Sequence, residues 1–222
     1  MIIYHGSENI IYSPCFGAGN PKNDYGKGFY CTEDKELSKE WACKRDKNGF
    51  SNCYELDMTE LRVCNLNSDE YNILNWLALL TKYRGYWQKK SIAEEAKLFL
   101  QENYLVDITE FDVIRGYRAD DSYFSFVQDF IMGTISLQKL AMAMKLGDLN
   151  DQVVIKSKKA FDHLTFIDYE EADAIIYFNE MSNRDKTARR QYQELRPSTS
   201  IIDEIYILDL MRGGVPDEKL RL

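Results

Sequence analysis

The chain has 222 residues, 45% of them hydrophobic, and a net charge of −8 at pH 7. That is enough apolar material to bury a substantial core in one large domain, or in one domain with an appendage. The acidic balance argues against a broad nucleic-acid surface, which needs clustered Lys and Arg. No apolar run reaches the ~20 residues that span a bilayer, and Met1-Ile2-Ile3-Tyr4-His5 does not read as a signal peptide. Five cysteines without a CxxC pair read as reduced thiols of a cytoplasmic protein. His5 and His163 are the only histidines and neither stands at ligand spacing from a cysteine pair, so no metal is expected.

In chain order, Met1 to Tyr4 reads as a strand ending at His5-Gly6, and Pro14 to Tyr25 as a Gly-, Pro- and Asn-rich loop. Gly26-Lys27-Gly28 leads into an aromatic strand, Phe29 to Thr32, and glycines there let the backbone turn or approach a ligand closely. Thr32 is the expected N-cap of a helix whose face carries Leu37, Trp41 and Ala42. Phe50 to Leu56 alternates as a strand, and Leu61 to Leu66 makes an edge element.

Residues 68–147 read as mostly helical, with helices at Tyr71 to Leu80, Ser91 to Tyr104, Ser122 to about Gly133 and Ser136 to Leu146. Within them Phe111 to Asp121 is a strand running into a charged turn. Gln152 to Ser157 is a strand, Lys159 to Phe166 a second strand or short helix, and Tyr169 to Leu195 a long polar helix. That helix carries the dense cluster Arg184-Asp185-Lys186-Thr187-Ala188-Arg189-Arg190, expected on a solvated face. Ile201 to Met211 reads as a packing helix, stopped by Gly213-Gly214 and Pro216.

A dinucleotide would find neither G-x-G-x-x-G nor a P-loop here. It would find an imidazole at His5 for a ribose hydroxyl, a backbone amide and carbonyl at Gly6 for a carboxamide, and a hydroxyl at Ser7. Tyr30 and Trp41 supply two aromatic faces, the parts of a nicotinamide clamp.

Tyr4-His5-Gly6-Ser7, then Tyr25-Gly26-Lys27-Gly28-Phe29-Tyr30, then Ser38 and Trp41 on a helix resemble the ADP-ribosyltransferase superfamily in its diphtheria-toxin and poly-ADP-ribose-polymerase-like branch. More narrowly, together with Asp112-Val113-Ile114-Arg115-Gly116 and Asp151-Gln152-Val153-Val154, the chain resembles a bacterial family known as domain of unknown function 3990. The resemblance implies an α+β fold of two small split antiparallel sheets. The domain would cover residues 1–167, with a helical insertion at about 68–147 and a helical extension at 168–222 packed on it.

It also implies NAD as substrate, with His5 on a ribose hydroxyl, Gly6 on the carboxamide, Tyr30 stacked on the nicotinamide and Trp41 on its opposite face. Ser7, Gly28, Thr32 and Ser38 complete the implied cofactor contacts. The third catalytic position, usually a glutamate, is matched by Gln152, which keeps the hydrogen bond to the ribose 2′-hydroxyl and loses the charge. Mono-transfer to a protein, nucleic-acid or small-molecule acceptor, as in an effector or toxin, is the implied activity. The alternative is a catalytically silent module that binds NAD or ADP-ribose. A carboxylate from Asp120 or Asp121 beside Arg115 could replace the one Gln152 lacks, although Asp121 is equally a helix N-cap. The RNA 2′-phosphotransferase branch, which grips a phosphate with basic residues, is disfavoured by the acidic balance.

Overall fold

In the computed structural model, which describes residues 1–85, 91–119, 121–148, 151–198, 203–213 and 215–220, two small sheets meet near the N-terminus. β1 (Ile2–Ser7) pairs antiparallel with β3 (Gly49–Leu56), and β3 pairs antiparallel with β7 (Leu164–Ala172). The second sheet runs β2 (Phe29–Cys31), β6 (Gln152–Ile155), β5 (Val113–Gly116), β4 (Val63–Asn65).

The expectation of two antiparallel sheets needs one correction, because β4 and β5 are parallel. Between them the chain runs through α2 (Ile73–Tyr83) and α3 (Ile92–Tyr104), a crossover long enough to bring the next strand back in the same direction. The helical stretch therefore also supplies a strand to the second sheet.

β6 is buried at all four positions, which explains its unbroken Val-Val-Ile run. One face, with Val153 and Ile155, packs between the sheets against Ile3, Cys31, Tyr54, Leu56 and Val113. The other face, with Val154, joins a larger core of Ile114, Leu74, Trp76, Leu77, Phe126 and Phe130. Each Val, Leu or Ile so buried contributes about 1.5–3 kcal/mol relative to exposure. α4 (Asp121–Ile131) and α5 (Leu137–Ala143) belong to this larger layer.

Four expectations change. α1 (Lys35–Ala42) is capped by Asp34, whose side chain accepts from Leu37 N–H at 3.0 Å, and not by Thr32. After the short α6 (Lys158–Asp162), residues Tyr169 to Ala172 extend β7, so the long helix α7 (Ala174–Leu195) begins later than its polar pattern suggests. Tyr169 and Glu171 pair with Asn52 and Phe50, and sheet pairing overrides helical propensity there. β7 crosses the boundary expected at residue 167. The C-terminal apolar segment is helical only over α8 (Ile207–Arg212), and Ile201 and Ile202 lie outside the described residues. Among the described residues, no helix is long and apolar enough to cross a membrane.

Candidate functional site

Among the described residues, backbone pairing links the two sheets at one point. Tyr4 N–H donates to Thr32 O at 2.7 Å and Thr32 N–H to Tyr4 O at 2.9 Å, an isolated antiparallel bridge. Continued by two residues, the register would set Gly6 against Tyr30, but the pairing stops at the bridge and the strands part. Strand bonds alternate with a period of two. Tyr4 directs its N–H and C=O to the outer edge of β1, so Gly6 directs its own the same way, into the parting.

Gly6 must be glycine for a second reason. A Cβ there would lie 2.0 Å from Ser38 O and 2.8 Å from Ala42 N, both backbone atoms of α1. The helix therefore rests directly on β1, and its Trp41 stands beside Gly6: that Cβ would be 3.0 Å from the Trp41 Cβ.

His5 points to the opposite face of β1. Its ring packs on Phe29 at 4.3 Å between centroids, and Nδ1 lies 2.7 Å from Tyr30 O. A carbonyl only accepts, so Nδ1 carries the proton and Nε2 is left as the acceptor. Burial holds the His5 pKa below its usual value, partly offset by that carbonyl, and the ring is neutral at pH 7. With Gly28, Phe29, Tyr30 and the loop carrying Ser13 and Cys15, His5 lines a cavity of about 410 Å³.

Tyr30 alternates to the other side, against the larger core. Its hydroxyl donates to Gly26 O at 2.7 Å and accepts from Tyr25 N–H at 3.0 Å. That closes a turn in which Gly26 has φ 73°, a conformation glycine adopts without Cβ strain. Lys156 braces the same turn through the carbonyls of Tyr25 and Lys27, and burial pulls its pKa down to about 8.

Val154 pairs with Tyr30, so Gln152, two residues earlier, shares the Tyr30 face and not the His5 face. Gln152 is 4% exposed and its amide donates to Asp24 Oδ2 at 2.9 Å. The same oxygen accepts from Ala119 N–H at 2.9 Å, and Oδ1 takes Arg84 Nε at 2.7 Å. Asp24 is the site residue that sequence reasoning missed. Its only local signal is its place before Tyr25-Gly26 in the loop, and its partners are about 60 to 130 positions away.

Three implied ligand contacts are turned inward, which corrects the reading from sequence. The Ser7 hydroxyl donates to Asn9 O and accepts from Asn52. Thr32 Oγ1 accepts from Asp34 N–H, and the buried Ser38 hydroxyl meets Lys35 O and Ser51. Each satisfies a local backbone or packing need instead. Arg115 pairs with Glu33. Asp120 and the Asp121 side chain lie outside what the structure describes.

On the Trp41 side, the guanidinium of Arg118 sits over the indole ring. The indole N–H is buried without a hydrogen-bond partner among the described residues. Trp41, Arg84 and Arg118, with Phe178, Arg184 and Arg189 of α7, line a second cavity of about 490 Å³. The basic cluster of α7 is thus not simply a solvated face. Ala188 is fully buried, and Arg184 forms an ion pair with Glu40 in which both side chains are less than one-fifth exposed.

A family model described as a protein of unknown function (DUF3990) matches residues 1–166. No curated protein and no solved structure matches the chain.

Proposed function

The chain belongs to that family, and from the geometry of its own residues we propose that it binds NAD where β1 and β2 part and transfers ADP-ribose from it. The observation that carries this is the outward N–H and C=O of Gly6 on the strand against which the Trp41-bearing helix rests. One donor and one acceptor on the same residue match a carboxamide, and the indole face carried by the same helix would suit a flat ring. The nicotinamide of NAD is a planar cation, and such a cation is attracted to the indole π-face. Arg118 already holds a planar cation there, so the ring would take the place of its guanidinium.

In this reading His5 Nε2 accepts from a ribose hydroxyl, and the cavity beside it takes the remainder of the dinucleotide. Gln152 is buried on the Tyr30 face with its amide on Asp24 and lines neither cavity, so it supports the ribose site only from behind. It is neutral, and its partner Asp24 is itself paired with Arg84, so this network supplies no net charge to a cationic transition state. Release of nicotinamide leaves ADP-ribose on an acceptor.

Binding of NAD by calorimetry and release of nicotinamide, with and without cell lysate as acceptor, test the reading. Trp41→Ala and His5→Ala should each weaken NAD binding about tenfold or more, in line with the 1–3 kcal/mol of a buried aromatic or hydrogen-bonded contact. NAD binding unchanged in both variants would overturn it. The tether of Gln152 to Asp24 favours a second reading, a module that binds NAD and releases no nicotinamide with any acceptor.

A further inference from the structure

The Arg184 to Arg190 segment belongs to α7, beyond the residues that match the family, yet it walls the cavity that begins at Trp41. We propose that this cavity binds the phosphomonoester of a nucleotide and holds it as the acceptor, at the Trp41 end of the cleft.

Charge is the first argument. Arg84, Arg118, Arg184 and Arg189 line one space of about 490 Å³ in a chain of net charge −8, a volume within the usual range for small-ligand sites. Asp24 and Glu40, which pair with Arg84 and Arg184, do not line it; Asp185, paired with Arg189, does. A carboxylate engages at most two of a guanidinium's five N–H donors. Arg184 directs Nε and Nη2 to Glu40, which fixes the group while leaving further donors for an anion. Several guanidiniums arriving from three separate parts of the chain suit a group with three acceptor oxygens and nearly two charges. Phe178 in the same lining offers a face for a base.

Reaction chemistry is the second. A phosphomonoester is largely dianionic at pH 7, so as a nucleophile it has no proton to give up. The oxygen lone pair forms a bond to the anomeric carbon of the nicotinamide ribose while the bond from that carbon to the ring nitrogen breaks. The released electron pair leaves with nicotinamide, which departs neutral, and no base is needed. A neutral Gln152 fits such an acceptor better than a carboxylate, which would repel it. The binding site stands on the cavity alone; its role as acceptor site rests on the NAD reading above.

Calorimetry on the full chain with UMP and uridine tests it, because a pyrimidine nucleotide avoids an adenosine pocket. UMP should bind at least tenfold more tightly than uridine, and more weakly as salt rises. Arg184→Gln and Arg189→Gln should each reduce UMP affinity about five- to twentyfold with NAD binding kept within twofold, while His5→Ala should do the reverse. Arg189 is about half exposed, so its variant stays folded even if loss of the Arg184–Glu40 pair unfolds the other. A 5′-phosphorylated oligonucleotide binding better than UMP assigns strand ends, and the opposite order assigns free nucleotides. Equal binding of uridine and UMP, or UMP affinity unchanged in Arg189→Gln and in a folded Arg184→Gln, would overturn the proposal. UMP binding with this pattern and no NAD binding would remove the NAD reading and leave the anion site in place.

Discussion

One cavity is lined by His5 of β1 and the other by Trp41 of the helix packed on the opposite face of that strand, and the two are built by different means. The His5 cavity is made of backbone, glycines and one loop, with a single imidazole held neutral by burial. The Trp41 cavity combines aromatic side chains with four arginines, three of them fixed by carboxylates. The first depends on close approach of main chain, which tolerates no added atoms. The second depends on ion pairs, whose loss leaves a charge without its partner but the packing largely intact. A substitution at the first should therefore act through sterics, and one at the second through electrostatics.

The harshest test of close main-chain approach is Gly6→Ala, on the α1 face of β1 opposite His5. The new Cβ would be driven against two backbone atoms of α1, and a helix cannot yield as a flexible side chain does. We expect a loss of about 3 kcal/mol, the upper end for overpacking, measured by chemical denaturation, together with loss of NAD binding. A variant as stable as the wild type would mean that α1 does not rest on β1.

Next in size is Asp24→Ala, which strips Arg84, Gln152 and the Ala119 amide of their shared acceptor at once. Breaking a buried pair on one side costs about 3–5 kcal/mol, and Arg84 is 29% exposed, so about 2–3 kcal/mol is expected. Asp24→Asn keeps an acceptor oxygen and should recover part of it. If both variants unfold at the same denaturant concentration as wild type, the network contributes nothing.

These two residues also mark how far the sequence could be read. Gly6 was legible because His5-Gly6-Ser7 and Gly28-Phe29-Tyr30 are contiguous motifs, and strand periodicity turns such motifs directly into geometry. α2 and α3 were legible for the same reason, from apolar spacing within one element. Asp24 was not, because nothing local distinguishes a buried, paired carboxylate from a polar loop residue; Arg84, Ala119 and Gln152 become its neighbours only after three separate segments fold together. The inward side of α7 was hidden likewise. Arg184 looks solvated until Glu40 is brought against it. Thr32, Ser7 and Ser38 were misread in the other direction, since small hydroxyl residues beside a motif answer backbone needs as readily as a ligand's.

The smallest expected effect concerns pH and the His5 face alone. Burial lowers the His5 pKa in the folded chain below the ~6.5 of an unfolded one. Above pH 6.5 both forms are neutral and His5 adds no pH dependence. As pH falls from there, the unfolded chain takes up the proton first, so stability declines until the pH has passed the folded value and then levels off. His5→Asn, which can still donate to Tyr30 O, should flatten this part of the profile. Carboxylates such as Glu40, whose pKa burial raises, titrate in both proteins and cancel in the difference. Melting temperatures of the two proteins between pH 5 and 8 provide the measurement. A gap between the curves that stays constant across the range would show that His5 is not held neutral, and with it would go the assignment of Nε2 as the acceptor facing the cavity.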